Sequence, residues 1–196
     1  LLVNEDSKET IIVDPGNNIE KIKDKIEKKA LNPVAVLLTH GHFDHIMAVK
    51  DIVSLYQVPV YANKLEQELL LDPELNLSSN MGGKAFSYDT SNYITDGEVL
   101  ELAGLTVKAI ATPGHTAGGM CYYFKEDGVL ITGDTLFRGT VGRTDLPGGS
   151  MRKIIDSVCN KLSEVDDDTY VMPGHGYRST MGYERKNNPC LSEGML

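Results

Sequence analysis

The apolar run Val34–Thr39 empties directly into Thr39-His40-Gly41-His42-Phe43-Asp44-His45, and this junction limits the fold more than any other feature of the chain. A continuous apolar strand, with no alternation of polar residues, is the kind buried on both faces in a helix-covered parallel sheet. Scaffolds of that type place polar groups where loops leave the strand ends. Three imidazoles and a carboxylate at the mouth of such a strand therefore form a candidate site by position alone. Taking each residue at its own frequency, His-x-His-x-Asp-His arises by chance on the order of 10⁻⁴ times per chain.

The remaining histidines repeat the placement. His115 lies in Thr112-Pro113-Gly114-His115-Thr116 and His175 in Met172-Pro173-Gly174-His175-Gly176, each after a predicted strand. Asp134 is set the same way in Ile131-Thr132-Gly133-Asp134-Thr135. A single loop histidine is usually solvated or hydrogen-bonded. Five histidines that all follow strand ends call for another account. In extended chain, residues i and i+2 face the same way, so His40 and His42 can share one metal. A turn into a helix then swings Asp44 and His45 toward a neighbouring position. Imidazole and carboxylate without thiolate suit Zn²⁺, and also Fe²⁺ or Mn²⁺. These candidates outnumber the protein ligands of one catalytic zinc, so two divalent ions fit better.

Hydrophobic periodicity places the site on a scaffold. Ile11–Val13 reads as a strand closed by Asp14-Pro15-Gly16, after which Asn17 or Asn18 caps a helix with Ile19, Ile22, Ile26 and Ala30 on one face. Asn32-Pro33 is expected to stop that helix. A second helix is expected from His45 to about Tyr56, then a strand at Val58–Tyr61. Residues 71 to 92 read as a long loop, the least structured part. Strands follow at Val99–Leu102, Leu105–Ala111, Met120–Phe124 and Val129–Thr132, the last two joined by the hairpin signal Asp127-Gly128. Ser150 caps a helix bearing Ile154, Val158 and Leu162; Tyr170–Met172 is a final strand, and a polar helix follows Thr180. The order is βαβαβ, then antiparallel β, then alternation again, which predicts an α/β fold of two sheets with helices packed outside them.

Composition bounds the partners. The chain of 196 residues carries 19 Lys and Arg against 28 Asp and Glu, a net charge of −9, which disfavours a phosphate backbone as ligand. Hydrophobic residues at 41% are those of a globular protein, and no apolar run approaches the ~18–20 residues that span a bilayer. The 3 cysteines, Cys121, Cys159 and Cys190, suggest free thiols in a reducing, cytoplasmic setting. Leu1-Leu2-Val3 opens the chain without Met and already inside an apolar stretch, so an upstream strand or targeting segment is compatible with the sequence. No repeat or linker divides residues 1–196, so one domain is expected.

In order and spacing, these segments resemble the metallo-β-lactamase superfamily of hydrolases over essentially the whole chain. The resemblance implies a four-layer αβ/βα sandwich of two mixed β-sheets flanked by helices, with metals at one edge. By that pattern His40, His42 and His115 hold one metal, Asp44, His45 and His175 hold the second, and Asp134 bridges both. A bridging Asp with no cysteine ligand points away from a true β-lactamase. Gly133-Asp134-Thr135-Leu136-Phe137-Arg138-Gly139, followed by Val141-Gly142-Arg143-Thr144-Asp145, is similar to the hydroxyacylglutathione hydrolases (glyoxalase II), above all their short bacterial relatives. The chain ends before the C-terminal helical domain that helps classical members bind glutathione. Asn188-Pro189-Cys190-Leu191 resembles the family's Asn-Pro-Phe-Leu, with Cys190 where Phe is usual.

The implied chemistry is hydrolysis of a thioester such as an S-acylglutathione. Two cations about 3.5–4 Å apart share a hydroxide that attacks the carbonyl, and a metal stabilises the oxyanion. A thiolate, with a conjugate acid of pKa about 8.5, leaves without a strong general acid. Asp134 and Asp44 are the catalytic carboxylates, Asp44 as ligand first and proton acceptor second. Four basic residues against Asp145 alone in the segment 135–155 favour an anionic substrate. Arg138, Arg143, Arg185 and Lys186 are the candidate contacts, with Arg143 suited to holding its own loop. Of Tyr122 and Tyr123, one is expected to face the core and the other a helix layer, and Cys121 to be a core residue. Two rival readings stand beside this one. A mononuclear iron persulfide dioxygenase would use His40, His115 and Asp134; another would hydrolyse a different ester or a phosphodiester.

Overall fold

A computed structural model of the chain describes residues 1–81 and 83–191. They form two compact units, Leu1–Ile94 with Glu101–Leu105, and Thr95–Leu100 with Thr106–Leu196.

The first unit contains β1 (Leu2–Val3), β2 (Glu9–Val13), α1 (Ile19–Lys28), β3 (Asn32–Leu37), α2 (Phe43–Ile46), α3 (Val49–Tyr56), β4 (Val60–Asn63), α4 (Gln67–Leu71) and β5 (Asn92–Ile94). Its sheet runs β1-β2-β3-β4-β5, with β1 antiparallel and the rest parallel, as the βαβαβ reading requires. Alternation explains the packing: Ile12, Val36 and Leu38 form one cluster with Ile26, Ile46, Val49 and Ile52 of the helices. Ile11, Ala35 and Leu37, on the opposite face, are fully buried as well. Each buried Ile, Val or Leu side chain contributes roughly 1.5–3 kcal/mol.

Three local expectations are revised. Helix α1 is capped as expected, Asn18 accepting from the Lys21 N–H, but it closes at Lys28 and leaves Ala30 outside at φ 49°. Pro33 does not terminate the helix; it sits inside β3 beside an irregularity in the pairing with β2, where a missing N–H is tolerated. The helix expected from His45 to Tyr56 is two helices, broken where the Ala48 N–H turns to the Pro15 carbonyl (2.9 Å). Residues 72–91 contain no helix or strand among those described, yet they are tied internally. The Asn76 amide donates to the Phe86 carbonyl (2.9 Å), and the Phe86 N–H donates to the Ser78 hydroxyl (2.8 Å). Asn76 and Ser78 are fully buried.

The second unit holds the first half of β6 (Val99–Leu102) and all but the first residue of β7 (Leu105–Ala111). It continues with β8 (Met120–Phe124), β9 (Val129–Gly133), β10 (Leu136–Phe137), β11 (Thr140–Val141), α5 (Met151–Asp156), β12 (Tyr170–Pro173), β13 (Ser179–Thr180) and α6 (Met181–Asn187). The sheet order is β13-β12-β9-β8-β7-β6, with β7, β8 and β9 antiparallel and β12 parallel to β9; β10 and β11 form a separate hairpin. Gly128 supplies the positive φ (60°) of the β8–β9 turn. Ser150 caps α5 by accepting from the Lys153 N–H, and the helix passes into a π-helical turn over Ser157–Lys161. Ile154, Val158 and Leu162 still share one buried cluster, with Ile110, Cys121, Tyr123 and Leu130 of the sheet. Tyr123 thus faces the helix layer, and Tyr122 is fully buried. Each unit is a mixed sheet flanked by helices. No helix among the described residues is long and apolar enough to cross a membrane.

Candidate metal centre

In the first unit the chain leaves β3, passes through extended His42 (φ −67°, ψ 148°) and enters α2, which gathers His40, His42, Asp44 and His45. The three imidazoles are at most 3% exposed. The His40 ring lies 4.9 Å from that of His42 and 4.1 Å from that of His45, centroid to centroid. His45 Nε2 is 3.7 Å from an Asp44 carboxylate oxygen.

The hydrogen bonds fix which ring nitrogen carries the proton. His45 Nδ1 lies 2.9 Å from Asp14 Oδ2, and a carboxylate can only accept, so Nδ1 is the donor. The Thr39 hydroxyl donates to the same Asp14 oxygen (2.6 Å); with its proton committed, Thr39 Oγ1 accepts from His40 Nδ1 at 3.1 Å. Asp14 also accepts the Thr39 N–H (2.7 Å). In their neutral forms both rings therefore present the Nε2 lone pair, as metal ligands do when a carboxylate orients them from behind. Neither Asp14 nor Thr39 was a sequence candidate. The signal was available, because Asp14 follows the end of β2 just as His40 follows the end of β3.

In the second unit three different strand ends supply the groups. His115 follows β7, Asp134 follows β9 and His175 follows β12. One Asp134 oxygen, Oδ2, lies 3.7 Å from both His115 Nε2 and His175 Nε2, so the carboxylate stands between the two imidazoles. His115 Nδ1 donates to the Arg143 carbonyl (2.8 Å), which again leaves Nε2 as the lone-pair nitrogen. The His175 side chain is 56% exposed, against 6% for His115. Beneath the Asp134 turn lies a buried neutral network, Thr135 Oγ1 to Thr112 Oγ1 (3.0 Å) and Thr112 Oγ1 to Cys121 Sγ (3.3 Å). Burial pushes the Cys121 thiol up to about 11.

A glycine admits each acidic candidate. A Cβ on Gly16 would stand 1.7 Å from the Asp44 carbonyl oxygen, and a Cβ on Gly142 would stand 1.8 Å from that of Asp134.

The four basic candidates are placed differently. Arg143 grips Asp145 through two bonds of 2.7 Å, which hold the Asp145 carboxyl down at about 2. Arg185 donates to Asp167 and to the carbonyls of Leu162, Ser163 and Val165, so its guanidinium ties the segment after α5 to α6. Arg138 stacks over the Tyr183 ring at 4.9 Å. Lys186 lies in the last turn of α6.

Imidazoles fixed with Nε2 as the lone-pair nitrogen, together with carboxylates, suit a divalent ion. The comparisons agree. The sequence matches the metallo-beta-lactamase superfamily over residues 1–175. It is 34% identical to the hydroxyacylglutathione hydrolase GloC of Haemophilus influenzae over 194 residues, 97% of this chain and 91% of that protein. The solved structure of the BLEG-1 B3 metallo-beta-lactamase superposes with a TM-score of 0.92 at 38% identity, covering 97% of this chain and 92% of that one. The structure of TTHA1623 in a di-iron-bound form superposes with a TM-score of 0.80 at 35% identity, covering 90% and 87%.

Proposed function

Because the chain belongs to the metallo-β-lactamase superfamily, with both histidine clusters inside the matched residues, we propose that it is a two-metal hydrolase of thioesters, S-acylglutathiones such as S-lactoylglutathione first among them. The observation that carries the reading is Asp134, whose carboxylate stands 3.7 Å from two imidazole nitrogens, the position of a shared ligand. His40, His42 and His115 would hold one ion, and Asp44, His45 and His175 the other, with Asp134 common to both. Zinc is the expected metal, and the likeness to TTHA1623, solved in a di-iron-bound form, makes iron the alternative. Divalent ions bound there supply an activated water and polarise a carbonyl.

The chain's own groups account for the rest. Asp14 holds His45 directly and His40 through Thr39, and the Arg143 carbonyl holds His115. Asp44 can take up the proton that water releases. All 5 histidines are ligands in this scheme, so no imidazole remains as a general acid, and a leaving group stable as an anion is required. A thiolate meets that need, whereas an alkoxide or amide anion does not. Arg138 and Lys186 are the basic groups proposed to meet an anionic carrier; Arg143 and Arg185 serve their own loops. The likeness to GloC supports the choice of glutathione. Three free thiols suit a reducing cytoplasm.

The test is metal content on freshly purified protein, followed by turnover of S-lactoylglutathione. About two metals per chain with rapid thioester loss is the expected result. A two-metal protein that leaves S-lactoylglutathione and other thioesters intact would sink the assignment. The likeness to BLEG-1, described as a B3 metallo-beta-lactamase, raises a second reading, hydrolysis of a β-lactam amide, which the lack of a free imidazole as general acid counts against; a chromogenic cephalosporin checks it.

A further inference from the structure

We infer that Glu66, together with the segment behind it, is a positioning element for the metal loop: its buried carboxylate fixes the backbone between His40 and His42. The inference rests on the two-metal reading above. In extended chain, side chains two apart share a face and the intervening amides point to a common edge. His40 and His42 occupy that shared face, and the amides of Gly41 and Phe43 are directed into one neighbouring segment. The Gly41 N–H donates to Glu66 Oε2 at 2.8 Å, and the Phe43 N–H donates to the Asn76 carbonyl at 2.9 Å.

Glu66 is 2% exposed, a costly place for a carboxylate without a specific task. Helix α4 follows it directly and seats against the same loop. A Cβ on Gly41 would come 3.0 Å from a Leu69 methyl and 3.2 Å from Leu70, so the loop lies close against this helix and a side chain there would press on both leucines. Asn76 is anchored in turn by its side-chain bond to Phe86 and by Ser78. Glu66, α4, Asn76, Ser78 and Phe86 therefore form a brace behind the proposed metal ligands. Two loop amides are each held by a buried acceptor, and the imidazoles are aimed before any ion arrives.

The test measures zinc affinity by competition with a chromogenic chelator, and the melting temperature of the metal-free protein, for the wild type and for Glu66→Gln, Glu66→Asp and Glu66→Ala. Gln keeps an acceptor oxygen at the same reach; Asp keeps the charge but is one methylene shorter. Glu66→Ala and Glu66→Asp should weaken zinc binding by ~10–100-fold, with Glu66→Gln remaining within a few-fold of wild type. If Glu66→Ala proves unable to fold, the Gln and Asp variants carry the comparison. Wild-type zinc affinity in the Ala or Asp variant, with only the metal-free melting temperature lowered, would reduce Glu66 to a structural residue. A Gln variant as weak as Asp would also overturn the inference, since an acceptor at the right reach would then not suffice. A wild-type chain that binds no zinc or iron refutes the two-metal reading itself, a different result from any of these.

Discussion

The two histidine clusters solve the same problem with different materials. In the first unit, His40, His42 and His45 are buried, and a carboxylate stands behind two of them: Asp14 orients His45 directly and His40 through Thr39. In the second unit, His115 is oriented by a backbone carbonyl and the Asp134 turn rests on hydroxyls and a thiol, while His175 is half exposed. Bonds to a charged acceptor are worth roughly twice neutral ones. The first cluster is thus a set aimed by a carboxylate on one short loop, and the second is assembled from three strand ends with neutral support.

Removing a candidate ligand breaks the comparison outright, because the proposed two-metal reading draws on both clusters. His42→Ala in the first and Asp134→Ala in the second should each lower metal-dependent hydrolysis by ~10³-fold or more, while circular dichroism shows the fold retained. Full activity in either variant would remove that residue from the site. The glycines come next. Gly16→Ala and Gly142→Ala drive a methyl into the carbonyl of Asp44 or Asp134, and each should cost about 3 kcal/mol, visible as a lowered denaturation midpoint. If only one of the two destabilises, the parallel between the units fails at that point.

Charge against neutral support is tested more finely. Asp14→Asn keeps a residue type tolerant of the backbone φ of 44° at that position but removes the charge, and it should weaken metal binding by ~10–100-fold. Thr112→Val deletes the central hydroxyl of the second unit's network and should cost only about 0.5–1.5 kcal/mol of stability, with little change in metal affinity. Equal effects on metal affinity would mean that charged support confers no advantage.

The sequence made the placement of the candidate ligands at strand ends legible and the supporting groups much less so. The strand ends are announced by apolar runs stopped by Gly and Pro, so residues such as His115 in Pro-Gly-His-Thr can be placed without coordinates. Asp14, Thr39 and Glu66 are not announced, because their roles depend on contacts made across the sheet, 25 or 31 residues away in the chain. The helix ends went astray for a related reason. Ala30 continues the apolar spacing of α1, but tertiary pairing draws Asn32 and Pro33 into β3 and the helix stops short. Segments such as β5, β10 and β11 were missed since they span only two or three residues, too few for periodicity to register. The polar composition of 71–92 suggested a slack loop, whereas those polar groups are spent on the loop's own carbonyls and amides.

The least expected effect, and the one that best isolates the second unit, concerns Cys121. Its thiol is fully buried on β8 against Thr112, and burial holds its pKa at about 11, above the ordinary 9.0. The folded state therefore favours the neutral thiol. Its contribution is fully present below pH 9.0 and falls away between 9.0 and about 11, where the unfolded chain releases the proton and the folded chain does not. Melting temperatures measured across that interval should fall more steeply for the wild type than for Cys121→Ala. At pH 8 the native protein should leave Cys121 unalkylated by iodoacetamide, with modification only after denaturation, as mass spectrometry can resolve. The first unit contains no cysteine, so this part of the alkaline slope belongs to the second unit alone. A slope of equal steepness in Cys121→Ala would show that the network under Asp134 does not sense pH through its thiol.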